Sequence, residues 1–193
     1  MEVKRNKIKK ILDTFLTLFK NPVQIFNDIK SNNVEAKPFF IRIILPFIVI
    51  CSVFSVINLA LYGTNVTIPK LCVRFLFEFI AFVAAFFISV LVCQKTVSRL
   101  YQKDESKSVV YQVVGVGFVV MYLLNILLSV VNLFFLWILA FYVVYLLWIA
   151  AGAVFEIDEN HRGKFLFFNS ISILFSELLI FKLLACLVPN LSL

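Results

Sequence analysis

The stretch that decides the fold is residues 109–155, VVYQVVGVGFVVMYLLNILLSVVNLFFLWILAFYVVYLLWIAAGAVF, in which no side chain is charged. As one α-helix it measures about 70 Å at 1.5 Å per residue, more than twice the roughly 30 Å of a bilayer's hydrocarbon core. The stretch therefore predicts a hairpin of two membrane spans, over residues 109–131 and 133–155. The polar residues Ser129 and Asn132 mark the turn between the two spans.

The composition of the whole chain agrees with this hairpin. Of the 193 residues, 62% are hydrophobic and only 15% are charged, whereas a soluble domain averages about 45–50% apolar and about 25% charged residues. The mean hydropathy is +1.01. These values exclude a soluble globular domain and a disordered chain, and they indicate a helical membrane protein. In such a protein the net charge of +7 indicates orientation in the membrane, and no basic motif predicts a nucleic-acid partner.

Three further apolar segments complete the predicted membrane domain, over residues 40–61, 71–93 and 165–187. The sequence thus predicts an all-α membrane protein with five transmembrane helices. Residues 1–38 are expected to form an amphipathic cytoplasmic N-terminal region, and residues 39–193 the five-span membrane domain. Pro46 predicts a kink in the first span, and Gly115 and Gly117 in the third span permit close approach of neighbouring helices.

The N-terminal region carries an amphipathic pattern. Within residues 4–20, apolar side chains recur every three or four positions and so share one helix face. Cationic side chains crowd its start and favour contact with anionic lipid headgroups; these candidate contacts are Lys4, Arg5, Lys7, Lys9 and Lys10. The alternative is a helix that packs against other protein. A second short helix is predicted, with Asn21 as N-cap and Pro22 as its first residue, and Ser31-Asn32-Asn33 ends it. Its apolar side chains Val23, Phe26 and Ile29 fall on one face.

Lysine and arginine residues set the predicted orientation. Nine of them occur up to Arg42, four in the predicted loop 94–108 and two in the predicted loop 156–164, so fifteen of the eighteen lie on one side of the predicted membrane. By the positive-inside rule, that side is the cytoplasm. The sequence therefore predicts a cytoplasmic N-terminus and an external C-terminus. We expect the membrane to be a bacterial inner membrane.

Apart from Arg42 at the cytoplasmic start of the first span, four charged residues lie inside the predicted spans, where charge is costly and often marks function. Arg74 and Glu78 are one helical turn apart and are expected to pair along the second span. Glu177 and Lys182 lie in the fifth span. At 1.5 Å per residue all four fall in the outer half of the membrane, where two acids and two bases are expected to neutralise one another.

Two polar residues, Asn58 in the first span and Asn125 in the third, are expected at a similar depth. The predicted cluster has two interpretations. It is either a polar site for a lipid headgroup, an ion or a partner helix, or a structural ion-pair cluster that fixes the helix register.

The residues needed for catalysis are missing from the sequence. The sole histidine, His161, lies in a polar loop, and there is no Ser/His pair, H-E-x-x-H motif or phosphate-binding loop. The four cysteines stand singly in apolar runs, without metal-ligand spacing. We therefore predict no enzymatic activity, no metal and no cofactor.

The order of these parts resembles the Yip family, five-span membrane proteins named for interacting with Ypt/Rab GTPases, and is most similar to its small prokaryotic branch. The residues that carry the resemblance are Asn21-Pro22-Val23-Gln24-Ile25-Phe26 just before the membrane and Pro38-Phe39-Phe40 leading into a first span with Pro46. The hairpin 109–155, a short charged loop and a last span follow in the family's order. The resemblance implies a non-enzymatic protein, and eukaryotic members act in vesicle traffic and membrane shaping.

Two functions follow as hypotheses. The first is a membrane-organising or adaptor role, in which the protein binds lipids, including anionic lipids of the bilayer, or a membrane protein that is either a different chain or a second copy. The alternative is a small transporter or permease component that uses the polar cluster as its site.

Overall fold

The computed structural model describes residues 17–31, 35–63, 66–103, 105–131 and 134–187, and the regular elements in these ranges are all helical. Apart from single helical turns, the described chain forms six helices. They are α1 (Pro22–Ser31), α2 (Ala36–Tyr62), α3 (Ile68–Tyr101), α4 (Lys107–Val130), α5 (Ile138–Ala153) and α6 (Arg162–Leu187).

Four helical segments are long and apolar enough to cross a bilayer, namely α2, α3, α4 and the segment Glu159–Cys186 that contains most of α6. α5 is also apolar, but its 16 residues measure about 24 Å, less than a core of roughly 30 Å. A 3-10 turn, Phe134–Trp137, precedes α5 within the predicted span 133–155. A crossing by this segment requires the turn as well as the helix, so the count of five spans stays a prediction.

α2 contains a wide turn near the predicted kink. Residues Phe40–Ile44 are π-helical, and the N–H of Leu45 donates to the C=O of Phe40, five residues earlier. Because Pro46 has no N–H and its ring clashes with the carbonyl four residues before it, the helix widens in the turn ahead of the proline.

α3 is longer than its predicted span. The prediction of a loop beginning at Gln94 was wrong, because the helix continues to Tyr101. The segment 94–101, QKTVSRLY, contains neither Gly nor Pro, so nothing in it interrupts the helical hydrogen bonds. The helix ends where Gln102 adopts a left-handed conformation with φ 51° and ψ 34°.

α4 lies at the centre of the described helices and contacts each of the other five. Its aromatic side chains pack edge-on against α3. Phe118 meets Phe86 with ring centroids 5.6 Å apart, and Tyr122 meets Phe82 at 5.3 Å. Edge-to-face aromatic pairs are worth about 0.5–1.5 kcal/mol beyond their buried area, so these contacts fix how α3 and α4 pack.

The two glycines of α4 stand where neighbouring helices come closest. A Cβ atom on Gly115 would lie 2.5 Å from the ring of Phe39 on α2. A Cβ atom on Gly117 would lie 3.1 Å from Cδ1 of Ile173 on α6. Close approach at these glycines is therefore present, as their small size predicted.

α1 packs against α4 and α5. On its predicted apolar face Phe26 and Ile29 are buried, whereas Val23 is 46% exposed. At the end of α1 the ammonium of Lys30 forms an ion pair with the carboxylate of Glu156. These contacts hold the N-terminal helix against the bundle.

The described end of the predicted helix 4–20 also contacts protein. Leu18 is buried, and its carbonyl accepts a hydrogen bond of 2.7 Å from the hydroxyl of Tyr142. Phe19 stacks on the same ring at a centroid distance of 5.4 Å. Packing against protein was the alternative interpretation of this segment. The candidate lipid contacts lie outside the described residues and stay a prediction; they are Lys4, Arg5, Lys7, Lys9 and Lys10.

Candidate functional site

A polar cavity of about 390 Å³ lies among α2, α3, α4 and α6, towards the end of the bundle where α2 ends and α3 begins. Its wall combines apolar side chains, among them Phe82 and Phe181, with seven polar ones. The polar residues are Ser55, Asn58, Arg74, Glu78, Asn125, Ser129 and Glu177. The volume lies within the range of roughly 300–1,000 Å³ that is usual for small-ligand pockets.

Arg74 is held by three neighbours. Its Nη2 lies 2.6 Å from Oε1 of Glu78, one turn further along α3, so the ion pair expected from the spacing is present. Its Nε donates to the hydroxyl of Ser55 on α2 at 2.9 Å, and that hydroxyl donates to Glu78 at 2.9 Å. The guanidinium also lies 4.6 Å from the ring centroid of Phe181 on α6. These contacts close a network that links three helices.

Glu177 is more sparsely partnered. Its Oε2 accepts one hydrogen bond of 3.0 Å from the side-chain amide of Asn125 on α4. The backbone carbonyl of Asn125 accepts a hydrogen bond from the hydroxyl of Ser129, and the side-chain amide of Asn58 donates one to the backbone carbonyl of Ser129 at 3.0 Å. No cation lies within ion-pair distance of Glu177 in the part of the chain that the structure describes.

Lys182 does not line the cavity, and its side chain is exposed. The reason is helical geometry, because five residues correspond to about 500°, which places Lys182 about 140° around α6 from Glu177. Phe181 is four residues from Glu177 and does line the cavity. The predicted balance of two acids and two bases therefore does not occur in the cavity, whose described lining has one guanidinium and two carboxylates.

Ser55 and Ser129 were missed as site residues in the sequence, although each stands in a recognisable pattern. Ser55 precedes Asn58 by three residues on α2, and Ser129 follows Asn125 by four residues on α4. Both spacings place a hydroxyl beside an amide that had already been noted. A serine three or four residues from an asparagine within an apolar span is thus the pattern that would have identified both residues.

A buried phenol lies close to the same region. The Tyr122 ring is fully buried, and its hydroxyl has no hydrogen-bond partner within the described chain. The thiol of Cys51, which lines the cavity, donates to the backbone carbonyl of Tyr122 at 3.4 Å. A buried hydroxyl without a partner costs free energy. The Tyr122 ring packs edge-on against Phe82, which lines the cavity.

The opposite end of the bundle carries a second polar cluster, outside the apolar spans. The carboxylate of Glu156 pairs with Lys30 and lies 3.8 Å from Nζ of Lys103, which also donates to the Glu156 carbonyl at 3.0 Å. The hydrogen bond from Lys30 and the two nearby positive charges lower the pKa of Glu156 from its ordinary value. Nearby, the hydroxyl of Tyr101 donates to the His161 carbonyl at 2.6 Å. These contacts join α1, α3 and the loop before α6.

The described residues contain no group of three or more His, Cys, Asp or Glu side chains that is suited to a metal ion. The polar groups that line the cavity are amides, hydroxyls, carboxyl groups and one guanidinium, which form hydrogen bonds and ion pairs.

The chain matches the family model of the Yip1 domain over residues 16–181. It belongs to the Yip1 family. The resemblance to the Yip family is thereby confirmed, and with four helices long and apolar enough to cross a membrane the protein is an integral membrane protein of Yip type. The Yip1 match includes every residue that lines the polar cavity and ends one residue before Lys182. No curated protein and no solved structure gives a significant match.

The Yip1 family is a family of membrane proteins without enzymatic activity.

Proposed function

We propose that this Yip1-domain protein has a non-enzymatic, membrane-organising or adaptor function, and that it binds a lipid headgroup in the polar cavity. The observation that carries the proposal is the cavity itself, which holds three ionisable side chains between apolar helices. Ionisable residues in membrane segments are expensive and are usually paired or functional.

Only part of this cost has a structural explanation. Arg74 and Glu78 satisfy each other and are supported by Ser55, as in a structural ion pair. Glu177 is different, because a single neutral amide bonds to it. A carboxylate in an apolar bundle with one neutral partner is poorly compensated, so binding of an external group supplies a reason for its presence.

The position of the cavity fits a lipid better than a solute enclosed in the bundle. Leu178 lines the cavity and is 50% exposed on the surface of α6. The cavity therefore reaches an apolar surface that faces lipid in a membrane. A lipid bound in this way has its headgroup in the polar cavity and its acyl chains against the apolar surface of α6.

The membrane arrangement completes the proposal. We place the N-terminus in the cytoplasm, the C-terminus outside and the chain in a bacterial inner membrane, with the turn and α5 together making one of five crossings. The lysine and arginine distribution supports this orientation. Residues 4–20 then lie at the cytoplasmic surface, where their cationic side chains meet anionic lipids.

Lipid retention tests the proposal. The full chain is purified in a mild detergent, incubated with phospholipid and analysed by native mass spectrometry. Ser129→Phe fills the cavity and is expected to lower bound lipid about tenfold, whereas Leu127→Phe, on the exposed face of the same helix, is expected to leave it unchanged. Absence of bound lipid from the unmodified protein, or equal retention by the two variants, contradicts lipid binding in the cavity.

A transport component is the second candidate function. It is favoured by the uncompensated carboxylate of Glu177, since such groups mark ion and substrate pathways in membrane proteins. Substrate-dependent flux into liposomes by a monomeric protein supports transport. Co-purification with a fixed partner from native membranes, without flux, supports the adaptor function.

A further inference from the structure

The acidic side chains that line the polar cavity outnumber the basic ones. Its described lining includes one cation, Arg74, and two carboxylates, those of Glu78 and Glu177. Lys182, which balanced this charge in the sequence-based expectation, projects from another face of α6. The Glu177 carboxyl group, which has no cationic partner among the described residues, is therefore open to a positive group.

Arg74 already has an anionic partner. Its guanidinium is engaged by the Glu78 carboxylate, the Ser55 hydroxyl and the Phe181 ring. A phosphate beside Arg74 would have to compete with Glu78 for the guanidinium, and it would also be repelled by both carboxylates. Two like charges a few ångströms apart repel each other strongly in a low-dielectric setting.

We infer that the cavity binds a primary ammonium group and that Glu177 is its counter-ion. This inference rests on the proposed lipid binding and deepens it by naming the headgroup chemistry, which is that of an aminoethyl headgroup. The same ammonium chemistry is offered by a soluble amine such as ethanolamine, and the experiment below separates the two sources.

The hydrogen-bonding groups of the cavity favour an ammonium with N–H donors. Only one carboxylate oxygen of Glu177 is engaged, by Asn125, and the amide oxygen of Asn58 has no hydrogen-bond partner among the described residues. The hydroxyl of Ser129 also lines the cavity. A primary ammonium carries three N–H donors and matches such acceptors, whereas a quaternary ammonium of the same charge has no N–H to donate.

Headgroup preference in the unmodified protein is the first arm of the test. The full chain in mild detergent is titrated with phosphatidylethanolamine, phosphatidylcholine and phosphatidylglycerol of identical acyl chains, and bound lipid is counted by native mass spectrometry. We expect phosphatidylethanolamine to bind about tenfold more tightly than the other two, a factor equivalent to about 1.4 kcal/mol.

Three variants locate the preference. Glu177→Gln keeps an acceptor for Asn125 but removes the charge, and it is expected to abolish the preference. Glu156→Gln, a matched change at an exposed carboxylate far along the bundle, is expected to retain it. Glu78→Gln keeps Glu177 but removes the ion-pair partner of Arg74, so it is expected to lower phosphatidylethanolamine binding and raise phosphatidylglycerol binding. It also serves as the test if Glu177→Gln does not fold.

Free ethanolamine distinguishes the sources of the ammonium. Failure of millimolar ethanolamine to displace bound phosphatidylethanolamine supports a lipid headgroup, whereas displacement, or direct ethanolamine binding that Glu177→Gln abolishes, supports a soluble amine in the same site. Equal binding of the three lipids with no ethanolamine binding overturns the ammonium site but leaves lipid binding intact. Absence of any bound lipid overturns the lipid source and the proposed function together.

Discussion

The Arg74–Glu78 pair permits a quantitative test of the cavity's internal network. The two side chains are 2.6 Å apart at their closest atoms, and they are 24% and 9% exposed, respectively. Removing one partner of a buried pair typically costs about 3–5 kcal/mol. Because Arg74 remains about a quarter accessible to water, we expect Glu78→Leu to lower the free energy of unfolding by about 2–3 kcal/mol.

The double variant isolates the interaction energy of the Arg74–Glu78 pair from the other contacts of each residue. Arg74→Leu with Glu78→Leu leaves neither charge unpaired, so we expect it to cost only about 1–2 kcal/mol. If Arg74→Leu costs as much as Glu78→Leu, the coupling energy of the cycle is at least about 2 kcal/mol. The measurement is the free energy of unfolding in one mild detergent for the two single variants, the double variant and the unmodified protein.

Lys182 is the matched control for this cycle. Lys182 is predicted to lie in the same half of the membrane as Arg74 and Glu78, but its side chain is exposed and does not line the cavity. Lys182→Leu is expected to change stability by no more than about 0.5 kcal/mol, and its effect is expected to be additive with that of Glu177→Leu. Additive losses for Arg74 and Glu78, or strong coupling between Lys182 and Glu177, would refute the arrangement of charges described above.

Three further predictions concern helix packing, membrane orientation and the dependence of stability on pH. Gly115→Ala places a methyl group 2.5 Å from the Phe39 ring and is expected to cost about 1–3 kcal/mol in thermal or chemical unfolding; Gly163→Ala, with open space around its Cβ, is the control, and equal effects would contradict close packing of α2 and α4. Cysteines introduced at Ser106 and Asn160 in a cysteine-free chain should resist impermeant reagents added to intact cells, and labelling of either from outside would reverse the predicted orientation. The pKa of Glu156 is lowered in the folded protein, so its ion pairs contribute stability above the ordinary carboxyl pKa, and this contribution is lost as the pH falls through the lowered pKa. Glu156→Gln should therefore remove that part of the acid dependence of the free energy of unfolding. Identical acid profiles for the variant and the unmodified protein would show that the pairs do not stabilise α1.

The sequence alone determined the class of protein, because the physical requirement behind it is local. A run of uncharged apolar residues longer than one bilayer crossing has to fold as helices, since each helix satisfies its own backbone hydrogen bonds. The ion pair of Arg74 with Glu78 was equally predictable, because both residues lie on one helix and their spacing sets their distance. Helix ends were less predictable where polar residues continue a helix beyond the membrane, as α3 does through residues 94–101.

Only the tertiary structure decided which charges meet. Depth along a span can be calculated from residue number, and by depth Lys182 and Glu177 were equivalent candidates. The direction in which each side chain points depends on how α6 is rotated against α2, α3 and α4, and that rotation is set by packing contacts such as Gly117 against Ile173. With this rotation Glu177 faces the cavity and Lys182 faces outward. The excess of acidic over basic side chains in the cavity is thus a property of the folded bundle that residue spacing along any one span does not contain.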